Sequence, residues 1–143
     1  MKKTLIALSL LAAAGTALAQ ATPVGLWKTI DDETKTEKSF VRIVDTAGVL
    51  SGKIEKIIDP TKQDSKCEAC TDERKDKPVL GMTIVRNAKA DAKGEHWEGG
   101  DILDPNNGKV YKLRLKPLDG GKKLEVRGYI GPFFRNQQWI RVE

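Results

Sequence analysis

Cys67-Glu68-Ala69-Cys70 is the place in this chain where residue type and spacing together suggest chemistry, and three kinds are open to it. In an oxidising compartment two cysteines this close form a disulfide, which closes a small ring and restrains the loop carrying it. A thiol oxidoreductase uses the same C-x-x-C spacing, with a helix N-terminus lowering one thiol pKa. Here Thr71-Asp72-Glu73-Arg74 begins a short helix at most, because Pro78 limits it, and no βαβ pattern surrounds it. As a zinc site the motif is half a set, since four ligands are usual and the chain has one histidine, His96, and no second C-x-x-C. Cys67 and Cys70 are therefore expected as a disulfide, with a thiol-redox or metal-binding factor as the alternative, and no metal ligand is assigned.

Other groups offer less. Ser39, Ser51 and Ser65 lack a G-x-S-x-G setting, and one histidine cannot be paired with any of them from sequence. Glu98 and Asp101 are neighbouring acids of a type suited to proton transfer. They flank Gly99-Gly100, however, and a glycine pair inside a strand reads as a bulge with its acids turned to solvent. No catalytic residue and no cofactor is assigned.

The elements that must carry these groups follow a period of two. In Lys109–Lys116, Tyr111, Leu113 and Leu115 alternate with Lys112, Arg114 and Lys116, which places apolar side chains on one face of a strand. Lys122–Ile130 repeats the pattern, with Leu124, Val126 and Ile130 on one side and Glu125, Arg127 and Tyr129 on the other. Asp119-Gly120-Gly121 between them predicts a hairpin. Further strands are expected at Gly25–Ile30, Phe40–Asp45, Leu50–Ile58, Leu80–Arg86, Trp97–Leu103 and Gln138–Val142. About eight short strands without an amphipathic helix predict an all-β sandwich or barrel. Asp59–Pro78 interrupts the rhythm as a long, highly charged loop that holds both cysteines, and a loop of that length tends to be functional.

The start of the chain reads as an address. Lys2 and Lys3 precede an apolar run over Leu5–Ala14, and Ala17-Leu18-Ala19 supplies the A-x-A end of a secretory signal peptide. The run is too short for a permanent span, which needs about 20 residues. Residues 1–19 are thus expected to be cleaved after Ala19, leaving residues 20–143 as a single exported domain, periplasmic or secreted, without a membrane span. Of the 25 cationic side chains set against 20 acidic ones, two leave with the leader, and the remainder are mixed along the chain. Such a surface keeps a protein soluble and forms no nucleic-acid stripe.

Gly25-x-Trp27 on the first strand and Trp139-x-Arg141 on the last become neighbours if the sheet closes, which would lay Arg141 across the face of Trp27. Between them stand Trp97-Glu98-Gly99-Gly100-Asp101-Ile102-Leu103-Asp104-Pro105-Asn106-Asn107-Gly108-Lys109-Val110-Tyr111 and Leu124-Glu125-Val126-Arg127-Gly128-Tyr129-Ile130-Gly131. Together these segments resemble the bacterial family called domain of unknown function 2147, over nearly all of residues 20–143. The resemblance implies a small secreted or periplasmic protein with a lipocalin-like (calycin) β-barrel, and it carries no established reaction or catalytic residues. Pro132-Phe133-Phe134-Arg135-Asn136 departs from the Gly-Arg-Thr pattern of that region of the family.

The combined expectation is an antiparallel, eight-stranded barrel that binds a small apolar or lipid-like ligand. Tyr111, Leu113, Leu115, Leu124 and Val126 would form its inward face, Trp27 and Arg141 would close it, and the Asp59–Pro78 loop would act as a lid. Eight strands can enclose one small ligand or be filled by side chains; a solid-core envelope interaction protein is the other outcome.

Overall fold

Alternation decides the inward face of β6 (Val110–Leu118) and β7 (Lys123–Ile130). Tyr111, Leu113, Leu115, Leu124 and Val126 are buried, while Lys112, Lys116 and Tyr129 reach the outside. The two strands pair antiparallel, with Leu115 opposite Val126 and Pro117 opposite Leu124. The computed structural model describes residues 21–143. Six further strands complete the sheet: β1 (Gly25–Ile30), β2 (Glu37–Thr46), β3 (Val49–Ile57), β4 (Thr83–Ala90), β5 (Trp97–Leu103) and β8 (Phe133–Arg141). Each pairs antiparallel with its sequence neighbour, and β8 returns to β1, so the meander is a closed eight-stranded barrel. Closure removes the unpaired edges that an open sheet would expose. The leader expected over residues 1–19 lies outside the described residues; among those described, no helix is long and apolar enough to cross a membrane.

The seam is short and strongly tied. Trp27 pairs with Arg141 and Lys28 with Ile140. The Arg141 guanidinium lies 4.2 Å from the centre of the Trp27 ring. It also donates to the carbonyls of Val24 at 2.8 Å, Thr22 at 2.7 Å, and Gly121. Trp27, fully buried, donates its indole N–H to the Pro23 carbonyl at 2.7 Å. A cation over an indole contributes about 0.5–2 kcal/mol, more as water is excluded. Behind this seam Val41, Ile43, Leu50, Val85, Ala88, Leu115 and Leu124 are all buried to 1% exposure or less, so this end of the barrel is packed solid.

Strand boundaries differ from the sequence expectation in several places: β2 begins at Glu37, three residues before Phe40, and β4 runs on to Ala90, four beyond Arg86. β8 begins at Phe133, five residues before Gln138, because its first turn reads Phe-Phe-Arg-Asn and carries no apolar alternation to reveal it. β4 begins at Thr83 and not at Leu80; Leu80 is exposed in the returning loop, where Gly81 donates to the Ile54 carbonyl and Met82 accepts from the Ile54 amide. Ile130 keeps the inward parity of β7 but stands beyond the rim and is 43% exposed. Between Glu98 and Asp101 the ladder slips register, so Gly99-Gly100 forms a bulge.

Candidate functional site

The end of the barrel opposite the seam is open. A cavity of about 700 Å³ enters it, bounded by the ends of the strands and by three connections: residues 31–36, 58–82 and 104–109. Volumes of this order lie within the usual range for small-molecule sites, about 300–1,000 Å³. Its sides differ. Ile54 and Ile57 of β3, Ile84 of β4, and Ile102 and Leu103 of β5 make one aliphatic wall. Thr29 of β1, Ser39 of β2 and Gln137 of β8 line the other. Trp139 joins this second wall to the packed end, opposite Leu124 in the β7–β8 ladder.

The inward row of β8 runs Trp139, Gln137, Arg135, Phe133 from floor to rim, and a hydrogen-bonded chain follows it. The Trp139 indole donates to Gln137 Oε1 at 2.9 Å, and Gln137 Nε2 donates to Asp32 Oδ1 at 3.0 Å. Arg135 grips the same carboxylate twice, through Nη2 at 2.6 Å and Nε at 3.0 Å. Its Nη1 donates to Asp104 Oδ2 at 3.2 Å and to the Tyr111 hydroxyl at 3.4 Å. Arg135 thereby ties β8 to the β1–β2 and β5–β6 connections across the mouth. Its side-chain hydrogen bond, with that of Gln137 in support, outweighs desolvation and holds the Asp32 pKa down at about 2, while the Arg135 pKa is raised. Bidentate pairing of this kind is geometrically demanding, so it fixes where the loops sit as well as their charge. Opposite Arg135 in the ladder, Gly128 leaves room for the Tyr111 ring; a Cβ there would press into Tyr111.

The 58–82 connection folds over one side of the mouth, contributing Asp59, Lys62, Ser65, Lys66, Glu68, Ala69 and Val79 to its lining. It contains a 3-10 turn, Pro60–Lys62, and an isolated bridge between Lys66 and Pro78. Cys67 and Cys70 form a disulfide and are 0% and 2% exposed. The Cys67 sulfur lies 3.6 Å from the Pro105 carbonyl, and Gly108 packs so closely on Ala69 that a Cβ would collide with its carbonyl. The cystine ring thus rests on the β5–β6 turn. Further along, buried Arg74 donates to the Thr83 carbonyl at 2.9 Å and pairs with Asp72 at 2.6 Å, which holds the Asp72 carboxyl at about 2. The loop is braced on both sides.

Of the residues named from sequence, Tyr111 and Val126 line the cavity. Leu113, Leu115 and Leu124 share their inward face, but they belong to the packed core below it. Trp27 and Arg141 meet at the seam, remote from the mouth. The sequence reasoning did not single out Arg135, Gln137 or Asp32. Counting back by twos from Trp139 through Gln137 to Arg135 would have placed an arginine inside the barrel, where a counter-charge is required. Ser39 is buried against Thr29, with Oγ···Oγ1 at 2.9 Å, and Ser65 donates to the Lys62 carbonyl at 2.7 Å. His96 lies at the other end, 3.5 Å from Asp91. Among the described residues, no group of three or more His, Cys, Asp or Glu side chains is arranged to hold a metal ion.

A model of the bacterial family described as "uncharacterized protein conserved in bacteria (DUF2147)" matches residues 25–141. The chain belongs to that family. This DUF2147 member is also similar in structure to a protein from the human pathogen Helicobacter pylori that is described as belonging to the lipocalin family. The TM-score is 0.72 and the identity 17%, with 86% of this chain and 84% of that chain covered. At that identity the likeness establishes the lipocalin-like fold. No curated protein matches. For this DUF2147 protein, then, family and fold are fixed by comparison, and the chemistry must be argued from the cavity.

Proposed function

We propose that this protein is an exported, non-catalytic carrier that holds one small, largely apolar or lipid-like molecule in the open half of its barrel. The observation that carries the reading is the division of the interior: one half is filled by side chains, and the other keeps a cavity of about 700 Å³ with an aliphatic wall. Removing apolar ligand surface from water at about 25 cal/mol per Å² supplies the driving force, less the cost of association. Export is supported by the Lys2-Lys3, Leu5–Ala14 and Ala17-Leu18-Ala19 pattern, and it accords with an oxidised Cys67–Cys70 pair. The burial of both sulfurs favours a structural bond over a redox centre, since exchange needs an attacking thiolate to reach one of them.

Native mass spectrometry of protein purified from periplasm tests the reading. A retained small-molecule adduct is expected, and an Ile102→Trp variant with an unchanged far-ultraviolet spectrum should lose it by filling the cavity. A ligand-free protein that also takes up no apolar probe in titration would refute the carrier role.

A further inference from the structure

The two faces of the cavity point to a more specific ligand class than "apolar", and this assignment rests on the carrier reading above. Ser39 and Thr29 sit opposite each other in the β1–β2 ladder, both buried and both on the cavity wall. Their hydroxyl oxygens are 2.9 Å apart, and Thr29 Oγ1 also accepts the Ser39 amide at 3.1 Å. Two hydroxyls that share one hydrogen bond use one of their two protons. The other has no partner among the described residues, whichever oxygen carries it. Gln137 leaves capacity of the same sign: its oxygen accepts from Trp139, one N–H goes to Asp32, and its second N–H is unspent among the described residues.

Unspent donors therefore gather on β1, β2 and β8, while aliphatic side chains come from β3, where Ile57 pairs with Ser39, and from β4 and β5 beyond it. Once an occupant displaces water from this wall, a donor left without an acceptor costs about 1–3 kcal/mol, so an occupant that offers an acceptor there is favoured. The charge balance narrows its type. Arg135, two residues from Gln137 on the inward row of β8, is already shared between two carboxylates, Asp32 and Asp104. Around the whole lining four cations, Lys38, Lys62, Lys66 and Arg135, face five carboxylates, Asp31, Glu37, Asp59, Glu68 and Asp104, so there is no cationic excess to favour a carboxylate or phosphate head. The geometry points to a neutral, one-edged ligand: an apolar body bearing a carbonyl or hydroxyl oxygen that accepts from the Thr29–Ser39 pair while the rest of its surface lies on Ile54, Ile57, Ile84 and Ile102.

Fluorene and 9-fluorenone test this, because they share a ring skeleton and differ by one edge carbonyl. Equilibrium dialysis of the purified protein against each should show the ketone bound about 5–10-fold more tightly, although it is the less hydrophobic of the two. In Thr29→Val/Ser39→Ala that preference should vanish while fluorene binding persists. The single variant Ser39→Ala, a smaller perturbation, should halve the preference or more if the double variant does not fold. Fluorene bound as tightly as fluorenone by the wild type, or a preference that survives in the folded double variant, would overturn the neutral-acceptor assignment and leave the carrier reading standing. Dodecanoate bound more tightly than both would overturn it too, in favour of an anionic head. Binding of none of the three would defeat both the assignment and the carrier reading.

Discussion

The two halves of this barrel are made from the same eight strands, yet they solve different problems. Around the seam, inward positions are filled by Trp27, Val41, Ile43, Leu115 and Leu124, and the end is sealed by a guanidinium that satisfies four carbonyls, those of Thr22, Val24, Gly121 and Glu143. Around the mouth, the same inward rows continue as Thr29, Ser39, Gln137 and Arg135, which are too polar to collapse onto one another without partners. Side chains that can pack make a core; side chains that must be hydrogen-bonded hold a space open. The difference teaches that the cavity follows from the chemistry of the inward positions, with no change in the strand pattern.

Truncating matched aliphatic side chains in each half would break the comparison most directly. Leu115→Ala removes a fully buried side chain from the packed end and should cost about 2–5 kcal/mol in denaturant unfolding. Ile102→Ala, on the cavity wall, should cost less than half as much, because its side chain already lacks neighbours on one side. Equal losses would mean that the two halves are equally packed. A smaller effect is expected from Cys67→Ser/Cys70→Ser. A ring this short gives about 2 kcal/mol of loop-closure entropy, and hydrogen exchange should quicken at residues 58–82 and 104–109 while the seam stays protected.

The smallest effect concerns acid. Asp32 is held at about 2 in the folded protein against its ordinary value of 3.8. Its pairing with Arg135 thus stabilises the mouth fully above about pH 4, and the contribution is lost as the pH falls through the interval towards 2. Trp139 fluorescence should report this loss, and Asp32→Asn should abolish that step at a cost near 1 kcal/mol at neutral pH.

What the sequence discloses divides along the same line. Alternation in Tyr111–Leu115 and Leu124–Val126 is enough to name the inward face, because burial of apolar side chains with period two is what makes these strands. The Trp27–Arg141 juxtaposition is equally readable, since closing any sheet brings its first and last strands together. The mouth is obscured for a physical reason. Phe133-Phe134-Arg135-Asn136-Gln137 has adjacent aromatics and a polar run in place of alternation, and Asp32 looks like one more charge in the Asp31-Asp32-Glu33 turn. Their roles depend on a contact between residues more than a hundred positions apart, which local periodicity cannot carry. The expected disulfide raises no such difficulty, because its partners are three residues apart.

The way Arg141 gathers Thr22, Val24 and Gly121 has one more consequence. The Leu26 amide donates to the Glu143 carbonyl at 3.1 Å, and Val142 donates back to Leu26 at 2.8 Å, so the beginning of the described chain and its last residue leave the barrel side by side, at the base. A tether or fused partner on either terminus would hang from the floor and leave the entrance unobstructed. A short linker joining the two would permit new termini to be cut at Ala47-Gly48, on that same floor, with the cup itself intact.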